Sequence, residues 1–467
     1  MVKWALMEDY RMSVALLRSG EDVSAFVIGQ FGDQRLAKVG ALFFKRLSEK
    51  LSICIKSLAG NRATEVAFNR FLSNEEVDLA SISDEFSIKT NAMCSDKSHV
   101  LCLQDTMQLT YPTQSIKKND FGPTGDSETK GLFVHPGIIV DASNRDVLGM
   151  SSALTWCRDE EASVDKSRPI EEKESIRWID TALAAKTKIV NAEVLTVIGD
   201  RESDIFELFE RVPDEKTHLI VRASHDRKLA TDEKISERLA NESVMGKHEV
   251  ELSAITGRRQ ARIASLDIKY TKLELCNSHK DESLNIFCVS AVETSTAPHG
   301  EQPISWVLLT THPIHSLKAA IQILTWYTWR WIIEQIFRTM KKRGLNIEDS
   351  HIEHPKKLQI LAILCIAAGI KVMSLVESRD GKNNRPASDL FSQNELILLF
   401  LLCRKLEGNT KKQKNFHVYN SMAWASWIIA RLGGWNGYRS ESPPGPIVML
   451  RGLQKFELQY EGWLLAQ

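Results

Sequence analysis

Three acidic residues, far apart in the sequence, are the best candidates for chemistry in this chain. Asp105 and Asp200 each follow a short apolar run that predicts a strand, and Glu334 lies inside a long predicted helix. In open sheets, ligands bind at the carboxyl ends of adjacent strands. Carboxylates there could hold divalent metal ions through oxygen, as magnesium prefers. Either aspartate alone could equally be a turn or helix cap, so the pair is a first indication.

The surroundings of Glu334 strengthen this interpretation. It is the only acid between positions 315 and 346, which hold six basic residues. Successive residues of an α-helix are rotated by about 100°, which places five side chains within an arc of about 80° on one face. They are an aromatic hydroxyl, an acid and three bases: Tyr327, Glu334, and Arg330, Arg338 and Lys341. The plainer interpretation is that Glu334 pairs with Arg330 and Arg338, worth a few tenths of a kcal/mol. The functional one is a metal-binding acid flanked by phosphate-binding cations.

The pattern of apolar residues predicts mixed helices and strands around these acids. Strands are expected at 99–103, 132–140, 147–156 and 194–198, and strand signals dominate 212–311. Helices are expected in 23–74 and at about 170–187, 315–343, 356–377 and 393–407. Ser392 and Glu395 predict a capping box, and a loop rich in Gly and Pro is expected at 433–446. The fold class is therefore α/β.

The composition is that of a globular protein in a reducing compartment. The chain has 467 residues, 43% hydrophobic and 26% charged, with 60 basic and 60 acidic residues. This balance excludes general disorder and a wholly basic surface. The eight cysteines form no C-x-x-C pair and are expected to be buried free thiols. The longest apolar run, 360–370, predicts a buried helix, and no signal peptide is recognised, so we expect a cytoplasmic protein without membrane contact.

The clearest local excess of positive charge lies in the segment 23–74. Its eight basic and three acidic residues give a net charge of +5 in a chain whose total is zero. A solvated helical face is the plainer interpretation. A small helical DNA-binding domain is the functional one, in which Arg35, Arg62 and Arg70 would contact DNA.

Several motifs, taken together, resemble cut-and-paste DDE transposases of bacterial insertion sequences, in the IS-four family that includes the transposon-five transposase. Tyr327-x-x-Arg330-x-x-x-Glu334, followed by Lys341, resembles the family's YREK signature. The segments 103–106 and 199–205 resemble its first-aspartate and DREAD-type second-aspartate motifs. Further similarities fall at 67–74, 172–178 (the KES-W segment) and 429–434. The resemblance covers about 25–467.

This resemblance implies a ribonuclease-H-like catalytic core at 79–377, interrupted by a β-rich insertion at about 212–311. An N-terminal helical DNA-binding domain would occupy 1–78, and a C-terminal helical dimerisation domain 378–467. Asp105, Asp200 and Glu334 would be the catalytic acids. They would hold two Mg²⁺ ions, replaceable by Mn²⁺, at about 3.5–4 Å from each other.

The resemblance also implies which side chains contact DNA. Tyr327, Arg330 and Lys341, helped by Arg338, would hold phosphates near the metal ions. Trp306 would stack on a flipped base so that a hairpin can form, although a core tryptophan in a strand is an equal alternative. Arg222 would be a DNA contact of the insertion.

The expected function is a transposase that binds double-stranded transposon ends, cleaves them through a hairpin and joins the 3′ ends to target DNA. A homodimer would hold the two ends in the synaptic complex, and the enzyme would act in the bacterial cytoplasm. Two alternatives stay open. One is a nuclease with the same core and no strand transfer. The other is a non-catalytic DNA-binding regulator derived from a transposase, against which the retention of all three acids argues.

Overall fold

One mixed sheet runs through the part of the chain that the computed structural model describes. That part is 28–466, apart from 113–120, 126–128, 160–167, 253–260, 278–281, 296–297, 299–300, 342–343, 383–384 and 439–440. Eleven strands are found there. They are β1 His99–Gln104, β2 Met107–Pro112, β3 Gly122–Pro123, β4 Thr129–Asp141, β5 Val147–Trp156, β6 Val194–Gly199, β7 Thr217–Arg222, β8 Gly246–Leu252, β9 Arg262–Cys276, β10 Ser283–Glu293 and β11 Ser305–Thr310.

The central strands have the order β5-β4-β1-β6-β7. Strand β1 is antiparallel to β4 and parallel to β6, β7 is parallel to β6, and β5 is antiparallel to β4. Strand β2 also pairs with β4, and the antiparallel strands β11, β10, β9 and β8 continue the sheet beyond β7. This mixed arrangement is consistent with the expected ribonuclease-H-like core. Strands β8 to β11 of the predicted β-rich insertion extend the same sheet, whereas β7, which also lies within 212–311, is one of the central strands.

Thirteen α-helices are found in the described residues. They are α1 Gln34–Lys50, α2 Ile55–Ala59, α3 Arg62–Ser73, α4 Leu79–Met93, α5 Ile176–Lys188, α6 Phe206–Arg211, α7 Ile235–Asn241, α8 Leu317–Thr328, α9 Trp331–Met340, α10 Pro355–Ser378, α11 Gln393–Leu406, α12 Met422–Leu432 and α13 Pro446–Leu465. Helix α5 packs on β1, β4, β5 and β6. A helical layer centred on α10 covers β4 and β5.

Helix α10 is the centre of the helical layer. It packs against α1, α3, α4, α9, α12 and α13. Among the described residues, it is the one helix long and apolar enough to cross a membrane, but most of its apolar window is buried inside the fold. This agrees with the predicted buried helix at 360–370. One buried core joins residues of all three predicted domains, and the boundaries at 78 and 377 stay predictions.

The predicted continuous helix at 315–343 is wrong, because the chain tightens between α8 and α9. The N–H of Trp329 bonds to the carbonyl of Trp326, and that of Arg330 to the carbonyl of Tyr327, both at 3.1 Å. These bonds span three residues instead of the four of an α-helix, as in a 3₁₀ turn. No Gly or Pro marks this turn in the sequence.

Other predicted elements agree in place and differ in extent. The hairpin of β4 and β5 and the capping box of Ser392 and Glu395 are confirmed. The pattern missed β2, the edge strand β8, and helices α4, α12 and α13. The prediction that the cysteines are buried is correct for five of the eight. Cys54 is exposed, and Cys157 and Cys276 are partly exposed.

Candidate active site

Two parallel strands bring Asp105 and Asp200 to the same edge of the sheet. Leu103 of β1 is in register with Ile198 of β6. Each aspartate lies two residues beyond its member of this pair, just past the end of its strand. The sequence pattern predicted this placement, because the carboxyl ends of adjacent parallel strands meet at one edge.

Arg330 joins Asp105 to Glu334 at this edge. Its Nη1 lies 2.5 Å from Asp105 Oδ2, and its Nη2 lies 2.6 Å from Glu334 Oε1. The guanidinium group and the Asp105 carboxylate are largely buried, with 13% and 18% of their side chains exposed. The pairing of Arg330 with Glu334 agrees with the plainer interpretation of the sequence. No pairing of Glu334 with Arg338 is found among the described side chains.

Burial and neighbouring charges shift the pKa values of two groups in this cluster, Asp105 and Arg330. Loss of solvent raises the pKa of Asp105 to about 6, and the negative charges of Asp200 and Glu334 act in the same direction, whereas Arg330 and the N–H of Thr106 oppose the rise. The pKa of Arg330 is raised because Asp105, Tyr327 and Glu334 outweigh its burial. A cluster of acids with one buried guanidinium retains excess negative charge, which favours an additional cation.

The backbone holds the two aspartates in the same way. The N–H of Thr106 donates to Asp105 Oδ1, and the N–H of Glu202 donates to Asp200 Oδ1, each at 2.8 Å. Asp200 thereby caps a short 3₁₀ helix, Arg201–Ser203. Each carboxylate is thus oriented by a residue that follows it closely in the sequence.

Sequence reasoning missed Arg177, although it lies inside the KES-W segment. Arg177 is on α5 and donates from Nε to Thr106 Oγ1 at 3.0 Å and from Nη2 to Glu202 Oε2 at 2.5 Å. Its Nη1 donates to the carbonyl of Glu174 at 2.9 Å. The available signal was an arginine beside Trp178 at the start of an amphipathic helix, which is too common to single out.

The insertion places two of the predicted DNA contacts at the acidic edge. Gly199 of β6 is in register with Val221 of β7. Asp200, just past the end of β6, and Arg222, the last residue of β7, therefore follow this pair directly. Trp306 on β11 meets Tyr327 edge to face, with ring centroids 5.7 Å apart. Trp306 is partly exposed, whereas the Tyr327 ring is buried. These contacts connect the insertion to the helix that precedes Arg330.

The remaining residues of the predicted helical face are less closely associated with the acids. Lys341 lies past the end of α9 in extended backbone, and its Nζ is 3.2 Å from Glu348 Oε1. Arg338 is exposed on α9. The prediction that all five residues share one helical face is therefore wrong, because the 3₁₀ turn and the end of α9 interrupt the face.

The N-terminal arginines lie on the helices α1 and α3. Arg35 is exposed at the start of α1 and Arg70 at the end of α3, whereas Arg62 pairs with Glu65 at 3.0 Å. Arg46 has a structural role, because its Nη1 donates to the carbonyls of Leu58 and Ala59. The positive charge of 23–74 is therefore only partly available for DNA.

The carboxylates suit a hard divalent cation by chemistry, but they are not arranged around one. In the part of the chain described, no three His, Cys, Asp or Glu side chains lie together as a metal site. Asp105 and Glu334 instead each bond to Arg330 through one oxygen. Carboxylate oxygens are the ligands that Mg²⁺ and Mn²⁺ accept, so the donor set fits such an ion.

Residues 173–369 match the family model of the transposase DDE domain. The match supports a DDE transposase. The matched stretch contains Asp200 and Glu334 and begins after Asp105. Transposase domains of this kind generally use divalent metal ions, in agreement with the acidic donor set of the site.

A solved structure gives a more distant similarity. A piggyBac transposase in a synaptic complex with hairpin DNA aligns with 92% of this chain and 82% of its own, at a TM-score of 0.39 and 10% identity. This likeness is too distant to assign a role to any residue of this chain.

Proposed function

We propose that this chain is a cut-and-paste DNA transposase of the IS-four type, with Asp105, Asp200 and Glu334 as its catalytic acids. The observation that carries the proposal is their shared position: two aspartates end adjacent parallel strands, and Arg330 holds the glutamate to one of them. The transposase DDE domain match over 173–369, which includes Asp200 and Glu334, supports the coarser assignment to a DDE transposase. These acids would act as a unit on one phosphodiester.

In this proposal, the three carboxylates hold two Mg²⁺ ions, or Mn²⁺ in their place. Such ions, when bound, supply activation of the attacking oxygen and stabilisation of the leaving oxygen. Thr106 and Glu202 orient the aspartates through their N–H groups. Arg330 is already close to both Asp105 and Glu334, so it is placed to exchange a carboxylate for a DNA phosphate.

The DNA would lie across the acidic edge. Arg330 adjoins Asp105 and Glu334, and Tyr327 lies close enough to Arg330 to affect its charge. Arg338 and Lys341 extend the cationic surface along α9 and past its end. Arg222 and the partly exposed Trp306 would contact DNA from the insertion, where Trp306 could accept a flipped base. Arg35, Arg62 and Arg70 would recognise the transposon end from the N-terminal helices, through phosphate contacts first.

The C-terminal helices would join two subunits in the DNA-bound complex. Helix α11 buries Leu398, Leu399 and Leu402 in the core. Its other apolar residues Ile397, Phe400 and Leu401 each have 41–46% of their surface exposed. A consecutive apolar face left open on one side suits a contact with a second copy that forms on the paired DNA ends. Cleavage would then be coupled to pairing.

The test is an excision assay with a plasmid that carries the inverted repeats flanking the gene. We expect the purified chain to release the segment between the repeats in Mg²⁺, to form hairpin ends, and to join the 3′ ends to a second plasmid. EDTA and the Asp200→Asn variant should abolish every product. Cutting without joining would indicate a nuclease instead, and end binding without cutting would indicate a regulator.

A further inference from the structure

We infer that Arg177 is a positioning residue, which fixes the spacing between Asp105 and Asp200. The inference rests on the proposed function and extends it to a residue that touches neither DNA nor metal in the proposal. It starts from the two residues that orient the aspartates. Thr106 and Glu202 each donate a backbone N–H to one aspartate carboxylate.

The side chains of those same two residues bond to one guanidinium group. Arg177 Nε donates to Thr106 Oγ1 at 3.0 Å, and Nη2 donates to Glu202 Oε2 at 2.5 Å. The segment after β1 and the segment after β6 are therefore both hydrogen-bonded to the same planar guanidinium group. A displacement of either segment would break a bond at a carboxylate-orienting residue.

Arg177 itself is held in place by a bond to the segment that precedes its helix and by burial. Its third bond runs from Nη1 to the carbonyl of Glu174, 2.9 Å away, two residues before α5 begins. Only 12% of its side chain is exposed. The fork of a guanidinium fixes three bond directions at once, which a single ammonium cannot reproduce. Arg177 therefore fixes the positions of both aspartates relative to α5.

The Thr106 side of this link is rigid as well. Thr106 Oγ1 lies 2.9 Å from His135 Nδ1, and the fully buried His135 ring meets Trp178 edge to face at 4.5 Å. Burial, with Arg177 nearby, lowers the pKa of His135 well below its ordinary value, so the ring is neutral. Glu202 is the exposed partner, at 63%. Changes at Glu202 can therefore loosen one side of the link without disturbing the core.

If Arg177 fixes the spacing of the aspartates, its substitution should lower the rate of DNA cleavage by an amount that depends on the metal ion. Mg²⁺ demands near-ideal octahedral geometry, whereas Mn²⁺ sites are less strict. A misplacement of about 1 Å can cost about 100-fold in rate. Arg177→Lys should therefore lower DNA-end cleavage about 100-fold in Mg²⁺ and regain about 10-fold of it in Mn²⁺. Glu202→Gln should show the same pattern at about a tenth of the size.

The experiment compares Arg177→Lys, Glu202→Gln and the surface control Arg211→Lys in the full chain. Arg211 pairs with Glu171 at 2.7 Å on the protein surface. For each variant we would measure cleavage in Mg²⁺ and Mn²⁺, end binding by gel shift, Mn²⁺ binding to the free protein by calorimetry, and the unfolding temperature. We expect weaker Mn²⁺ binding and metal-dependent cleavage for the first two variants, with unchanged end binding, and wild-type behaviour for the control.

Other outcomes would overturn the inference. Equal losses in both metals, with a lower unfolding temperature for Arg177→Lys and none for Glu202→Gln, would mean that Arg177 only stabilises the fold. Loss of end binding would make it a DNA contact. Full cleavage by Arg177→Lys beside an inactive Asp105→Ala would reject the inference and leave the proposed function intact. A wild-type chain that does not cleave would reject the proposed function, while unchanged Mn²⁺ binding would separately reject the role of Arg177.

Discussion

Ionisable groups lie at both ends of the central strands, and their charge states differ between the two ends. We call these ends the acidic edge and the histidine edge. At the edge where β1 and β6 end, carboxylates are kept together by Arg330 and excess negative charge remains. At the opposite edge, three histidines gather around Thr196 of β6. Thr196 Oγ1 lies 2.8 Å from the Nε2 atoms of both His99 and His312, and the His218 and His312 rings stack at 4.0 Å.

The histidine edge is neutral because desolvation dominates there. Burial, reinforced by the neighbouring imidazoles, lowers the pKa of His99 to about 4 and that of His312 to about 3, and burial also lowers the pKa of His218. At the acidic edge, burial also disfavours charge, but a guanidinium group opposes it. The comparison teaches that buried charge persists where a fixed counter-charge is provided, and such persistence suits a cation-binding site.

The largest expected effect comes from removing one acid. Changing Asp105, Asp200 or Glu334 to Ala should each reduce DNA-end cleavage by about a thousandfold or more, because each loss removes several kcal/mol of transition-state stabilisation. End binding, measured by gel shift in Ca²⁺, should persist. Near-normal cleavage by Glu334→Ala would remove Glu334 from the active site and make its bond to Arg330 a structural ion pair.

The next effect concerns stability at the histidine edge. Unfolded histidines take up protons as the pH falls below 6.5, whereas His99 and His312 stay neutral in the fold down to about 4 and 3. The free energy of unfolding should therefore fall as the pH decreases from about 6.5 towards 4, by about 2 kcal/mol per histidine between pH 7 and 5.

His312→Gln should flatten this dependence by about 2 kcal/mol. Urea unfolding at pH 7 and pH 5 measures the change, and His351→Gln, at an exposed histidine, controls for the loss of a histidine elsewhere. Parallel pH profiles for wild type and His312→Gln would mean that the histidine edge carries no linked protons. The two edges would then not differ in the way that the structure indicates.

A third effect tests whether Arg330 acts as the counter-charge at the acidic edge. Arg330→Gln keeps a hydrogen-bond donor and removes the positive charge between Asp105 and Glu334. We expect the free protein to bind Mn²⁺ about tenfold more tightly, because a competing cation has gone, while cleavage falls because a phosphate contact is lost. Calorimetry with Mn²⁺ in the absence of DNA measures the first change.

Arg338→Gln is the matched control for that change, since Arg338 is exposed on the same helix and no ion pair with the acids is found for it in the described residues. It should leave the Mn²⁺ affinity of the free protein unchanged. Weaker Mn²⁺ binding by Arg330→Gln would show that the guanidinium holds the carboxylates in place for the metal instead of competing with it.

The sequence predicted the positions of the two aspartates at the acidic edge better than the turns and side-chain contacts that hold them there. Asp105 and Asp200 could be placed because strand ends have a strong apolar signal, and β1 and β6 pair as expected. The turn before Arg330 could not be placed, because it consists of shortened hydrogen bonds without a marker residue. Arg177 and the histidine edge depend on contacts between segments that are distant in the sequence, such as Thr196 with His312, and periodicity holds no information about those.

The smallest effect concerns charges that are neither buried nor neutralised, on the N-terminal helices. Arg70 is exposed, and no ion pair is found for it within the described residues, whereas Arg62 is paired with Glu65 at 3.0 Å. A lysine or arginine that neutralises one phosphate contributes about 0.9 to the slope of log affinity against log salt. Arg70→Gln should therefore reduce the slope for end DNA by about 0.9 and weaken binding several-fold near 0.1 M salt.

Arg62→Gln should change the slope less than Arg70→Gln, because Glu65 already offsets part of the charge of Arg62 and would itself repel DNA once unpaired. Point substitutions are preferable to deletion of 23–74, since Phe43, Phe68 and Phe71 of these helices belong to the core shared with α10. Gel shifts from 0.05 to 0.3 M salt measure both slopes. Identical slopes for wild type and Arg70→Gln would place the bound end away from α3, and equal reductions in both variants would mean that the pair with Glu65 opens when DNA binds.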